Sequence, residues 1–158
     1  MSTSKTHHYS ARIAWEGNTG TGTSSYPGYE RAHRISIAGK PDILASSDPA
    51  FRGDPARHNP EDLFVASLSG CHMLFYLYLC SANGIRVVSY EDEAEGTMVE
   101  TADGGGKFES VTLHPRVVVE AGADLELAHS LHDKSHELCY IANSCSIHIH
   151  HEAAITTA

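Results

Sequence analysis

The residues of this 158-residue chain with the most chemistry in them are its four cysteines and twelve histidines. Cys71 stands in Ser69-Gly70-Cys71, with small residues beside it and the carboxylates Glu61 and Asp62 at the entrance of the helix that carries it. A second thiol, Cys139, follows 68 residues later in another helical stretch. Two distant thiols that meet in a fold can reduce peroxide: one attacks as the thiolate, and the other resolves the sulfenic acid as a disulfide before it over-oxidises. The attacking thiolate needs a cation or strong donor nearby. Arg52 and Arg57 are the nearest upstream cations, and a carboxylate such as Glu61 could orient one of them.

Helix arithmetic separates the other thiols. Cys71 and Cys80 are nine positions apart, hence about 13 Å along the axis and about 180° around it, too far to pair within one helix. Cys80 therefore reads as a small buried hydrophobe, and Cys145, beside a strand start, reads the same way. Cys71 and Cys139 lie on separate elements and are free to meet. They are either two inert core thiols, since free cysteine is among the most buried residue types, or a working pair.

The histidines offer a rival chemistry. His132-x-x-x-His136-x-x-Cys139 places three metal-ligand types on one helical face, which would suit a metal-binding or thiol-sensing protein. No fourth ligand at a zinc spacing accompanies them, so polar histidines flanking a thiol are the plainer expectation, with no metal. His136 or His72 could also lower a thiol pKa. His148 and His150 share a strand face. Gly104-Gly105-Gly106 lacks the Lys-Ser/Thr of a phosphate loop and reads as a hairpin turn, and no Gly-x-Ser-x-Gly elbow is present.

The elements that must position these groups follow from periodicity. Alternation predicts strands over His8 to Trp15 and Glu30 to Ala38, separated by a Gly/Thr/Ser loop from Gly17 to Gly28. Residues 42–58 read as irregular, with prolines at 49 and 55. Asn59 as N-cap, Pro60 at the first helical position and the Asn83-Gly84 stop predict a helix of about 22 residues, about 33 Å long. Its apolar content wraps most of its circumference, so a central position is expected. Ile85 to Val99 and Phe108 to Val119 read as a β-hairpin with Glu91, Glu93 and Glu95 on a solvated face and Val111, Leu113, Val117 and Val119 inward. A second helix is expected from Asp124 to roughly Asn143, and a strand from Ser146 to Glu152 to close the chain. Helices separated by antiparallel hairpins indicate an α+β fold.

Composition bounds the function. A chain of this length makes one domain that buries about 70% of its unfolded surface. A net charge of −9 argues against nucleic acid and against anionic membrane surfaces, both of which need clustered Lys and Arg. The first eight residues contain no apolar run, so no secretory signal is expected, and Met73 to Cys80 is too short an apolar stretch to span a bilayer. The expected location is the cytosol, where thiols stay reduced.

Asn59-Pro60-Glu61-Asp62-Leu63, the ten-residue step from Glu61 to Cys71, and the late Cys139-Tyr140-Ile141-Ala142-Asn143-Ser144 together resemble the OsmC/Ohr family of organic hydroperoxide reductases. The likeness runs from about Trp15 to Glu152. It implies one OsmC-like domain over 1–158 with residues 1–8 a flexible N-terminus, antiparallel sheets, a long central helix bearing the reactive Cys, and an intertwined homodimer. It also implies a thiol-dependent peroxidase without cofactor, in oxidative stress defence. Cys71 would be the peroxidatic thiol and Cys139 the resolving thiol, with Glu61 positioning an arginine. In the OsmC branch that arginine lies about ten residues before the Glu, which selects Arg52, with Arg57 second. In the Ohr branch it lies in the first hairpin loop, and Gly17 to Tyr26 contains none.

The resemblance further implies an organic hydroperoxide as substrate and an external dithiol, of lipoyl type, as reductant. Phe64, Phe75 and Tyr140 would favour alkyl or lipid hydroperoxides over hydrogen peroxide. The chain departs from the family at Tyr140, where proline is frequent, and in carrying Cys80, Cys145 and the histidines near Cys139. On one unbroken helix Glu61 lies about 15 Å from Cys71. Either that helix breaks, or the Glu–Arg pair serves the thiol of a second subunit.

Overall fold

The computed structural model describes residues 4–158; of the expected flexible N-terminus, residues 1–3 lie outside the described residues, and 4–8 form no helix or strand. The chain is α+β, with three three-stranded sheets. Its contacts divide it into two compact units, residues 1–63 and 64–158.

The first unit holds an antiparallel meander of β1 (Arg12–Trp15), β2 (His33–Ser36) and β3 (Ile43–Ala45). β1 and β2 are shorter than periodicity suggests, and β3 comes from a stretch expected to be irregular. Its three residues are too few to show a period, and its pairing of Ile43 with Ile35 is a tertiary event. After β1 the backbone doubles back so closely that a Cβ on Gly17 would sit 1.8 Å from Glu30 O, which only glycine permits. The resulting β1–β2 connection runs from Glu16 to Ala32, longer than the expected loop.

The long helix α1 (Pro60–Ala82) starts in a reciprocal cap. Asn59 Oδ1 accepts from Asp62 N–H at 2.8 Å, and Asp62 Oδ2 accepts from Asn59 N–H at 3.3 Å. Replacing Asn59 with Ala is expected to cost about 1 kcal/mol, read from a urea midpoint. An unchanged midpoint would show that the cap contributes nothing. α1 runs unbroken past Cys71 and stops at Gly84, whose φ of 74° is the left-handed closure expected of Asn-Gly.

In the second unit α1 buries the line Leu68, His72, Tyr76 and Cys80, each one turn from the next. The opposite face is not covered: Leu74 and Tyr78 are each 65% exposed. Burial all round the helix therefore fails within one chain. α1 is also long and apolar enough to meet the length and composition of a membrane-crossing helix, which the shorter run considered in the sequence does not. In this fold it is the central helix.

The expected hairpin is really four strands: β4 (Val87–Asp92), β5 (Glu95–Glu100), β6 (Gly106–Leu113) and β7 (Pro115–Val119). β5 and β6 form the hairpin around Gly104, while β4 pairs with β7 in a different sheet. Asp92 causes the break. Its carboxylate accepts from His114 N–H at 2.6 Å and from Ser69 Oγ at 2.5 Å, pinning both bends to α1. Glu91, Glu93 and Glu95 are exposed, and Val111, Leu113, Val117 and Val119 are buried, as the alternation indicates.

Helix α2 (Leu125–Leu138), capped by Asp124, ends earlier than expected, and a 3-10 turn follows at Ala142–Ser144. The chain closes with two strands instead of one. β8 (His148–His151) pairs parallel with β6, and β9 (Ala154–Thr157) pairs parallel with β7, so both sheets are mixed at one edge. Two cores result. Tyr76, Cys80, Ile85, Val117, Val119, Ala128 and Leu131 pack as one, and Leu68, Val111 and Leu113 as the other.

Candidate active site

Cys71 lies in the middle of α1, half-buried on the side that also carries Leu74, Phe75 and Tyr78. Cys139 is 1% exposed and is the C-cap of α2. Its backbone leaves the helix there, so the thiol sits at a helix end and not within a helical run. Both are free thiols, and they are near enough for Cys71 to perturb Cys139. Cys139 Sγ also accepts from Ala142 N–H at 3.5 Å.

Burial pushes the Cys139 thiol up to about 11, and its Cys71 neighbour adds to the rise, against the pull of the Ala142 and Ile141 backbone groups. At neutral pH Cys139 is therefore a protonated thiol, able to supply a proton when a bond to its sulfur forms. Cys80 is fully buried and its pKa is raised chiefly by burial, as befits a small core residue. Cys145 is half-buried and donates to Ala142 O at 3.4 Å.

An open cavity of about 260 Å³ adjoins Cys71, lined by Leu74, Phe75, Tyr78 and Tyr140, with almost no polar surface. Phe75 and Tyr140 meet edge to face at 5.0 Å. Phe64, singled out with them in the sequence, packs instead against Phe108 at 4.8 Å in the core beside Leu68. Leu74 and Tyr78 went unrecognised, because their helical spacing is that of ordinary core residues.

Glu61 opens α1, and among the described residues it joins no ion pair, with Arg52 or otherwise. Arg52 is exposed and holds a left-handed φ of 65° after the 3-10 turn Pro49–Phe51, with its guanidinium 5.9 Å from the Tyr26 ring centroid. Arg57 contacts Asp54 at 3.7 Å, and its second guanidinium nitrogen Nη1 is buried without a partner among the described residues. The β1–β2 connection, read to its observed end, does contain an arginine. Arg31 stacks on Tyr29 at 3.9 Å and on Tyr26 at 4.4 Å, and donates to Tyr29 O and, at 2.6 Å, to Tyr26 O. Extending the first loop to the start of β2 would have found it.

The metal-ligand set of His132, His136 and Cys139 is not assembled. Among the described residues no three His, Cys, Asp or Glu side chains are placed to hold a metal ion. Cys139 turns toward Cys71, His132 bonds to His72, and His136 faces His151 at 6.2 Å. Capping rotates Cys139 away from the helical face on which the sequence placed it.

The sequence profile of OsmC-like proteins matches residues 53–153, well over half of the chain. This chain belongs to the OsmC-like protein family. Its fold resembles that of an OsmC-like protein of unknown function from Vibrio cholerae, with a TM-score of 0.84, 32% identity, and coverage of 94% of this chain and 100% of that one. An organic hydroperoxide resistance protein from Legionella pneumophila, 18% identical, shares the fold at a TM-score of 0.70 over 97% of this chain and 99% of its own. The organic hydroperoxide resistance protein OhrB of Bacillus subtilis, 22% identical, does so at 0.62 over 94% and 98%. No curated protein matches the sequence. Membership of the OsmC-like family fits the α+β fold and the central helix α1.

Proposed function

We propose that this OsmC-like protein is a cytoplasmic, thiol-dependent peroxidase that reduces organic hydroperoxides in oxidative stress defence. The observation that carries the reading is the nearness of Cys139, at the end of α2, to Cys71 of α1, which adjoins an apolar cavity. Two organic hydroperoxide resistance proteins with the same fold support it.

In the cycle, the Cys71 thiolate attacks the distal oxygen of the hydroperoxide. The O–O bond breaks, the alkoxide leaves as the alcohol after taking a proton, and Cys71 becomes a sulfenic acid. Cys139 then forms the S–S bond, its thiol proton going to the departing hydroxide, which leaves as water. An external dithiol of lipoyl type takes on the disulfide and restores both thiols. Leu74, Phe75, Tyr78 and Tyr140 hold the hydrocarbon part of the substrate, which favours alkyl and lipid hydroperoxides over hydrogen peroxide. An arginine positioned by Glu61 of one subunit stabilises the thiolate and the leaving oxygen of the other; Arg52 is the first candidate, and Arg31 replaces Arg57 as the second.

The protein acts as a homodimer. In support, Leu74, Tyr78 and Tyr140, at 65%, 65% and 71% exposure, are too large and apolar to be left to solvent together. The deciding experiment mixes reduced protein with cumene hydroperoxide in a stopped-flow instrument and counts free thiols afterwards. Loss of two thiols and release of one cumyl alcohol per chain is expected. Unchanged thiols with hydroperoxide intact would overturn the proposal.

A further inference from the structure

Two buried imidazoles have no part in that cycle. His72 and His132 are each 1% exposed, and His72 Nε2 lies 2.9 Å from His132 Nδ1 with the rings coplanar to within 5°. Tyr76 covers His132 at a centroid distance of 3.8 Å, and its hydroxyl donates to Ala128 O at 3.1 Å. Along α1 the contacts descend through Tyr76, His72 and Cys71, while along α2 they rise through Ala128, His132 and Cys139. The two helices are thus joined by an antiparallel ladder of side chains with the dithiol at its end.

The middle rung is the specific one. Apolar side chains pack at many offsets, whereas a single hydrogen bond between two buried rings has one geometry. His72 immediately follows Cys71. Cys139 caps α2 about two turns beyond His132. Fixing His132 against His72 therefore fixes both the slide and the rotation of the segment that ends in Cys139.

The pair has room for one shared proton. One imidazole donates and the other accepts, and in either tautomer both rings are neutral. A second proton would have no counter-charge. The groups facing the pair are Tyr76 from α1, His129 and His136 from α2, His151 from β8, and Tyr90 from β4 behind Tyr76. Asp133 already bonds His151 at 3.1 Å. His132 Nε2 is buried and has no hydrogen-bond partner among the described residues, so the neutral tautomer in which His132 Nδ1–H donates to His72 Nε2 leaves no unpaired donor, and a further proton on Nε2 would add both an unpaired donor and a buried charge.

We propose that the neutral His72–His132 pair is a positioning device that holds Cys139 against Cys71, and that acid, by protonating the pair, uncouples the two thiols. The device makes disulfide formation, and with it any cycle the dithiol serves, sensitive to acid. Burial, reinforced by the neighbouring histidines, holds His72 at about 4 and His132 at about 3. The inference rests on Cys71 and Cys139 acting as a dithiol, but not on a hydroperoxide being the oxidant.

The test uses glutathione. Protein dithiol plus oxidised glutathione gives the protein disulfide plus two reduced glutathiones, with no net proton while all thiols are protonated. Its equilibrium constant is therefore flat with pH unless another group is linked to it. In the wild type the constant is expected to fall about twofold between about pH 7 and about pH 4. Two double variants remove the titration: His72→Leu with His132→Leu, and His72→Gln with His132→Gln, the second retaining a hydrogen-bonding pair. Either is expected to give a constant that does not change with pH. A flat wild-type constant, or the same fall in a folded double variant, overturns the proposal. Protein that equilibrates in this way but ignores cumene hydroperoxide would sink the peroxidase proposal alone, whereas protein that forms no Cys71–Cys139 disulfide at any pH would sink both.

Discussion

Cys71→Ser is expected to lower the rate of organic hydroperoxide reduction at least about a thousandfold, the scale on which removal of a covalent nucleophile acts. A serine hydroxyl is not ionised at neutral pH and is a poor nucleophile toward peroxide oxygen. Neither Cys80 nor Cys139 can substitute: Cys80 is fully buried with its pKa raised, and Cys139 is held protonated at about 11. Cys139→Ser should behave differently. The first turnover remains and releases one alcohol per chain, but the Cys71 sulfenic acid then has no partner and oxidises further under excess peroxide. Alcohol release by rapid quench and the oxygen content of Cys71 by mass spectrometry distinguish the two. Full multiple turnover by either variant would remove the dithiol from the mechanism.

Stability is expected to fall steeply in mild acid. The unfolded chain protonates His72 and His132 near the ordinary value of 6.5, whereas the folded chain resists until about 4 and about 3. Between those limits the unfolded state binds more protons, so stability declines as pH falls and is fully present only above about 6.5. The slope is about 1.4 kcal/mol per pH unit for each histidine, so about 2 kcal/mol per histidine is lost by about pH 5. Together that is a large part of the ~5–15 kcal/mol that holds a domain folded. Urea midpoints at the two pH values measure it. A His72→Leu, His132→Leu protein should lose much less, and a wild type equally stable at both would show that burial does not suppress these protonations.

The parts of the fold legible in the sequence are those fixed by neighbours in the chain. Asn59, Pro60 and Asn83-Gly84 define α1 because caps act within one turn, and the inward set of Val111 to Val119 needs only its alternation. The split of the long hairpin was hidden because it depends on Asp92 bonding to Ser69 and His114, more than twenty residues away in either direction. β9 was hidden because Ala154 to Thr157 has a single strongly apolar residue, Ile155. At the site, the two thiols stood out by type and spacing, but not the cavity beside them. Leu74 and Tyr78 look like core residues, and only the packing shows that nothing among the described residues covers them. The His72–His132 bond joins residues sixty apart and leaves no local trace. Arg31 is not marked by the sequence, because the loop that carries it ends later than its glycines do.

Trp15 is the sole tryptophan of the sequence. Its indole N–H donates to Glu30 O at 2.8 Å, and its ring meets Tyr29 edge-on at 5.9 Å, at the base of the connection that carries Arg31. The chain therefore contains a native fluorophore fixed to this arginine loop. Opening of the loop would break the indole bond and change the emission wavelength and its quenching.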